Sequence, residues 1–263
     1  MTTNELKQII LTNDLNQFIH GADVQQIGIG SSGDSVLKIS KDGNDFFLKY
    51  SANKNIETEY KKLNWLQGRL PVPQIISYQH ENGIHYLLTR GLDGEMICTP
   101  RYMKNWHSGL NVILQAFEKL WATNIQDCSF DARLDYKLKQ IKVKIDSEQI
   151  KPEDIRPEFL EKYGSIDGIY EYLIKNKPDE QLCFSHGDTS LPNIFGHGDK
   201  LSGFIDVSDC GVGDIWFDIA VTAKSIKRNY NEEAVQIFYR EIKNKIGKIK
   251  HDIIDYYFTL VEL

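Results

Sequence analysis

Phe184-Ser185-His186-Gly187-Asp188-Thr189-Ser190-Leu191-Pro192-Asn193-Ile194-Phe195, with Leu201-Ser202-Gly203-Phe204-Ile205-Asp206 shortly after it, is the stretch that decides the fold. An acid, Asp188, stands in a loop after an apolar run, and an amide, Asn193, follows five positions on. A second acid, Asp206, ends the next apolar run beyond a short hairpin. Phosphoryl transfer asks a protein mainly for positioning and charge neutralisation. Magnesium, a hard cation, takes oxygen ligands of the kind Asp and Asn supply. A loop acid can then orient an attacking hydroxyl while the amide and the second acid hold the metal. Taken singly, each member is ordinary. Asp after a strand is most often a cap or an Asx-turn, His186 is as readily structural as basic, and Asn193 after Pro192 can simply begin a strand. Asp206 is harder to place, because an acid directly after so apolar a run either finds a cation or costs stability. Order and spacing together outweigh the separate readings.

The spacing D-x-x-x-x-N matches the catalytic loop of protein kinases, with Gly187 where those carry Arg. The earlier half adds Gly28-Ile29-Gly30-Ser31-Ser32-Gly33, a G-x-G-x-x-G with two competing meanings. In a dinucleotide-binding oxidoreductase it follows a buried strand and opens a helix. Here Ser35–Ile39 and Phe46–Lys49 flank Asp42-Gly43-Asn44, which reads as a hairpin. A glycine-rich turn in a β-meander can cover phosphates with N–H groups and Ser hydroxyls; a plain surface loop is the other reading. Ile56, Tyr60, Leu63, Leu66 and Leu70 then recur at helical spacing, with Pro71 as the stop. Glu59 shares that apolar stripe and needs a cation, and Lys49, ending the preceding strand, is the nearest in sequence. A strand Lys clamped by a helix Glu and aimed at phosphates is the ion pair of a kinase.

With those residues in place, the chain resembles the aminoglycoside 3'-phosphotransferases. The likeness is carried by Phe184–Asp188, Asn193–Phe195, Leu201–Asp206, Asp214-Ile215-Trp216-Phe217-Asp218-Ile219-Ala220, Trp65–Pro73 and the tail around Tyr256-Tyr257 and Glu262. It runs from about Gly30 to the C-terminus. The resemblance implies an α+β, bilobal protein-kinase-like fold, with a small β-rich N-lobe bearing one main helix and a larger, mostly helical C-lobe. It implies boundaries of 1–90 for the nucleotide-binding lobe, 91–94 for the hinge and 95–263 for the catalytic and acceptor-binding lobe. It also implies phosphorylation of an antibiotic hydroxyl. On that basis Asp188 is the catalytic acid, and Asn193 and Asp206 are the magnesium ligands. Lys49 and Glu59 form the phosphate clamp, Ser32 touches phosphate and Phe47 stacks on adenine. Backbone groups of Arg90 and Leu92 meet the adenine edge. ATP is the expected donor, with GTP a second candidate.

Two positions depart from the resemblance. Asp209 stands where related enzymes carry Arg, and Arg228 stands where they carry an acidic antibiotic contact. These departures bear on the acceptor, not on phosphoryl transfer. They keep open a kinase of the same fold for another small alcohol, such as choline, homoserine, a macrolide or a peptide antibiotic. A non-catalytic nucleotide sensor is a further alternative, opposed by the intact Lys49, Glu59, Asp188, Asn193 and Asp206.

Composition bounds the rest. At 263 residues, 41% hydrophobic and 26% charged, the chain can bury a sizeable core and reads as a water-soluble globular protein. No run is long enough for a membrane span, and Met1–Glu5 lacks the design of a signal peptide, so a cytoplasmic, ATP-supplied setting is expected. Cys98, Cys128, Cys183 and Cys210 show no paired spacing and are read as reduced thiols. The net charge of -6 disfavours nucleic acid and suits a polycationic small molecule. A monomer or weak dimer is expected. The acid-rich stretch from Pro152 to Asp167 falls where the family places an antibiotic-binding loop, with a solvated mixed-charge face as the competing reading. Glu158, Glu161 and Glu262, with the Leu263 carboxylate, are the expected acceptor contacts.

Overall fold

The computed structural model describes residues 15, 18–29 and 34–263. Gly30–Gly33, and with it Ser32, lies outside them, as does most of a helix expected from Asn4 to Ile19. The described chain divides into two compact units. One holds the residues up to Asp93 together with Gly203–Ser208, and the other holds Gly94–Ser202 with Asp209–Leu263.

The first unit is built on an antiparallel sheet in the order β1-β2-β3-β5-β4: β1 (Asp23–Ile29), β2 (Ser35–Lys41), β3 (Asn44–Ser51), β4 (Ile75–Glu81) and β5 (Ile84–Arg90). Two hairpins are closed by Asp42-Gly43 and Asn82-Gly83, all four residues at positive φ between 51° and 77°. That is the primed turn whose twist matches paired strands. Alternation along β2 buries Leu37 and Ile39 against Leu48, Leu88, Leu15 and Ile19. Each such aliphatic side chain contributes about 1.5–3 kcal/mol by leaving water. Helix α1 (Asn55–Leu66) buries Ile56, Glu59, Lys62, Leu63 and Leu66. It ends at Leu66, not at the expected Leu70. Gly68 takes a left-handed φ of 76°, and the Arg69 and Leu70 N–H groups fold back to the Leu66 carbonyl at 2.9 and 3.1 Å. The glycine stops the helix before Pro71 is reached.

In the second unit, β7 (Leu182–Ser185) pairs antiparallel with β10 (Gly211–Asp214). A small sheet orders β6 (Glu95–Met96), β8 (Ile194–His197) and β9 (Lys200–Phe204), whose last residues group with the first unit. Around them lie α2 (Pro100–Lys104), α3 (Trp106–Ala122), α4 (Leu134–Asp146), α5 (Pro157–Tyr163), α6 (Ile166–Lys175), α7 (Ile215–Asn229), α8 (Glu232–Ile246) and α9 (His251–Leu260). Helix α3 buries Leu110, Ile113, Phe117 and Leu120. Helix α7 is buried along most of its length. Asp214 caps it, accepting from the Trp216 N–H (3.3 Å), the Gln181 N–H (3.0 Å) and the Tyr257 hydroxyl (2.7 Å). Among the described residues, no helix is long and apolar enough to cross a membrane.

Candidate active site

In the first unit, strand alternation sends Leu48 into the apolar face and Lys49 to the opposite one. Lys49 Nζ donates to both Glu59 carboxylate oxygens, at 2.7 and 2.9 Å. Glu59 is only 8% exposed, so the stripe position does bury the carboxylate and the strand Lys does answer it. Burial works to lower the Lys49 pKa, but Glu59 outweighs it, helped by Asp206 and Asp34, and holds the amine above its ordinary range. Burial likewise pushes the Glu59 carboxyl up, with Lys49 opposing.

Three residues along α1, Lys62 donates from Nζ to the Ser208 carbonyl at 2.6 Å. That bond fixes the turn carrying Asp206, whose φ is 57°. Asp is among the few side chains that tolerate this left-handed backbone. Asp206 is exposed and its charge reaches Lys49, so the acid that ends the apolar run does find a cation. Phe47 is half-buried on β3, opposite Thr89 of β5. The Arg90 N–H is taken by the Gln74 carbonyl (2.9 Å), and the Gly91 N–H by that of Asp45 (2.8 Å). What a nucleotide could ask of Arg90 therefore falls to its carbonyl.

In the second unit the chain leaves β7 at His186 and turns at Gly187, with φ 84°. A Cβ here would lie 2.3 Å from the Asp209 carbonyl oxygen, so the position tolerates no Arg of the kind found in kinase catalytic loops. Asp188 follows, half-buried, with both carboxylate oxygens oriented. Oδ1 accepts from the Ser190 N–H (3.1 Å) and Oδ2 from Asn193 Nδ2 (2.8 Å). Asn193 also reaches the Asp188 carbonyl (3.1 Å), which turns its amide nitrogen inward and leaves Oδ1 as its oxygen donor.

One face of α7 holds this loop. Asp218, fully buried, accepts from the N–H groups of His186 (3.1 Å) and Gly187 (3.2 Å) and from the Ser185 hydroxyl. Burial pushes its carboxyl up to about 6, while Lys137 and those three donors pull it back. Further along, the Thr222 hydroxyl donates to the Thr189 carbonyl (3.1 Å), and Ser225 Oγ accepts from the Leu191 N–H (2.9 Å). Asp218 has no role legible in the sequence, and Thr222 and Ser225 do not stand out there as site residues. Their signal is three polar residues at helical spacing on the otherwise apolar buried face of the helix.

Asp188, Gly187 and Ser190 open onto a cavity of about 370 Å³, walled by Asp209 and by Phe217, Val221, Lys224 and Arg228 of α7. The expected acceptor residues are distributed around the second unit. Glu158 and Glu161 are exposed on α5, and Glu158 meets Arg156 at 3.3 Å. Glu262 accepts from Arg156 (2.7 and 2.9 Å) and from Lys224 (2.8 Å). Burial would raise its carboxyl, but the two cations outweigh it and hold it below the ordinary range. Leu263 is half-buried, its N–H on the Leu260 carbonyl at 3.2 Å.

A loop acid tied to an amide, a clamped strand lysine and a sheet-plus-helices build define the α+β, protein-kinase-like phosphotransferases, enzymes that act on alcohol groups. A solved aminoglycoside-3'-phosphotransferase of type VIII shares the fold, with a TM-score of 0.82 over 95% of this chain and 96% of that one at 23% identity. The sequence pattern of the phosphotransferase enzyme family matches residues 23–244, and the chain belongs to that family. It is 31% identical to the aminoglycoside 3'-phosphotransferase of Niallia circulans, over 89% of this chain and 90% of the relative. That of Acinetobacter baumannii is 27% identical, over 96% and 99%.

Proposed function

We propose that this phosphotransferase moves the γ-phosphate of ATP to a hydroxyl of an aminoglycoside, the 3'-hydroxyl by analogy with its named relatives, and so protects a cytoplasm from the antibiotic. GTP is the second candidate donor. The observation that carries this reading is Asp188: both its oxygens are aligned by Ser190 and Asn193, on a loop fixed by α7, at the edge of a cavity. Orienting the acceptor hydroxyl is most of what such an acid does in a loose transition state. Lys49, held by Glu59, is assigned to the phosphates, as is Ser32. Phe47, the Arg90 carbonyl and the Leu92 N–H are assigned to adenine.

Asn193 and Asp206 fit magnesium: each offers an oxygen donor, one from an amide turned by Asp188, one from an exposed carboxylate. When bound, the metal supplies charge neutralisation on the phosphates. Glu158, Glu161 and the Leu263 carboxylate are assigned to acceptor ammonium groups; an ammonium reaching Glu262 displaces Lys224. A solved aminoglycoside phosphotransferase from Streptomyces rimosus of the same fold (TM-score 0.72, 20% identity) is in complex with ADP and streptomycin, which supports a nucleotide and an aminoglycoside as the ligand pair.

The test is a coupled assay of ATP consumption with kanamycin, neomycin, amikacin, streptomycin, choline and homoserine, with the product mapped by NMR. Phosphate on the 3'-hydroxyl of kanamycin or neomycin is the expected result. Turnover with choline or homoserine alone would move the chain to another acceptor class. Asp188→Ala is expected to lower turnover by about 10²–10⁴-fold while ATP still binds. Retained turnover in that variant would remove Asp188 from its role.

A further inference from the structure

The cavity beside Asp188 is polarised. Helix α7 lines it with Phe217 and Val221, then with Lys224, then with Arg228 at its far end. Asp209 faces it from the segment that precedes β10. Lys224 is neutralised by Glu262 at 2.8 Å. Among the described residues, no acid pairs with the Arg228 guanidinium, and no cation pairs with the Asp209 carboxylate. The uncompensated charges are thus Asp188 and Asp209 at one end and Arg228 at the other. A field of that shape sorts ligands by where they carry charge. An ammonium is drawn toward Asp209 and repelled from the far end of α7. A guanidinium, with its fork of N–H donors and no acceptor, takes hydroxyl oxygens instead.

We propose that Asp209 and Arg228 are specificity-determining residues which select acceptors that place an ammonium toward Asp209 and hydroxyl oxygens, not a second ammonium, toward Arg228. This rests on the aminoglycoside reading above and narrows it to a subclass: compounds poor in amines on the ring that meets the end of α7.

The test compares two pairs that differ by one amine for one hydroxyl: neomycin with paromomycin, and kanamycin B with kanamycin A. Steady-state constants are measured for the wild type, Arg228→Glu, Arg228→Gln and Asp209→Asn. The wild type is expected to show the lower KM for the hydroxyl-bearing member of at least one pair. Arg228→Glu should shift that KM ratio toward the amine-bearing member by about tenfold or more, the scale of one charged contact, with kcat moving less. Arg228→Gln should shift it part of the way; Arg228 is exposed, so this variant keeps the fold and serves if the Glu variant does not. Asp209→Asn should raise KM for both members. A wild type that phosphorylates none of the four compounds overturns the 3'-hydroxyl assignment and this inference with it. Turnover with KM ratios that do not respond to either Arg228 variant overturns this inference alone.

Discussion

Two helices position the groups assigned to catalysis, and they do it by opposite means. Helix α1 works through charge: Glu59 holds Lys49, and Lys62 reaches the Ser208 carbonyl behind Asp206. Its partners are long side chains, and the Lys49 side chain keeps 28% of its surface in water. Helix α7 works through buried hydrogen bonds between the short side chains of Asp218, Thr222 and Ser225 and the loop backbone. A tether through a flexible lysine can adjust when its anchor is altered. A tether through a sealed backbone contact cannot, because every unmade bond there leaves a donor or acceptor away from water. The first arrangement suits a group that must follow a nucleotide, and the second suits an acid that must stay where it is.

The sharpest way to break this contrast is Asp218→Ala, which strands the His186 N–H and the Ser185 hydroxyl in the interior and leaves the Gly187 N–H only Ser185 Oγ. At about 1–3 kcal/mol for each stranded donor, the expected loss is roughly 4 kcal/mol. Thermal unfolding should fall by roughly 10 °C, with turnover lost alongside. A variant with wild-type melting would show that α7 does not hold the loop.

Asp218 also sets a pH dependence. Its folded-state value of about 6 lies above the ordinary 3.8, so the folded state binds this proton more tightly. The stability it adds is complete below the lower value and is lost as pH rises through the upper one. Measured against Asp218→Asn, the wild type should lose relative stability between those two pH values and hold steady above them.

Next in size is Glu59→Gln, which frees Lys49 without stranding it, since the amine can turn to water. The expected outcome is an ATP affinity about tenfold weaker, with a stability loss smaller than that of Asp218→Ala because the Lys49 amine can reach water. A collapse in stability without an effect on ATP binding would reverse the roles assigned to the two helices. The smallest effect belongs to Ser225→Ala, where the Leu191 N–H loses its acceptor while the Asn229 amide keeps the Ser225 carbonyl. Chemical denaturation should register about 1 kcal/mol, and turnover should fall less than in Asp218→Ala.

Much of this was legible in the sequence because short-range rules govern it. The Asp-Gly hairpin, the Lys49–Glu59 pair and the Asp188-to-Asn193 spacing depend on local turn chemistry or on a carboxylate's need for a counter-charge. The end of α1 was misread because Pro71 drew attention from Gly68, whose backbone freedom acts earlier in the chain. Asp206 read as an acid in need of a cation; the left-handed turn that carries it into water is not a property of residue type. Thr222 and Ser225 were missed because small hydroxyls in a helix are common, and only the loop they bond to gives them meaning. The opposed charges of Asp209 and Arg228 could be noted as departures, but that they share a wall with Asp188 required coordinates.

Gly187 and Asp209 have a joint consequence. What forbids a side chain at position 187 is the carbonyl of residue 209, not its carboxylate. The main chain at 209 therefore belongs to the fold, while its exposed side chain is at liberty to vary. If Asp209 selects acceptors as proposed, that preference can drift by substitution at this one side chain without any repair to the catalytic turn.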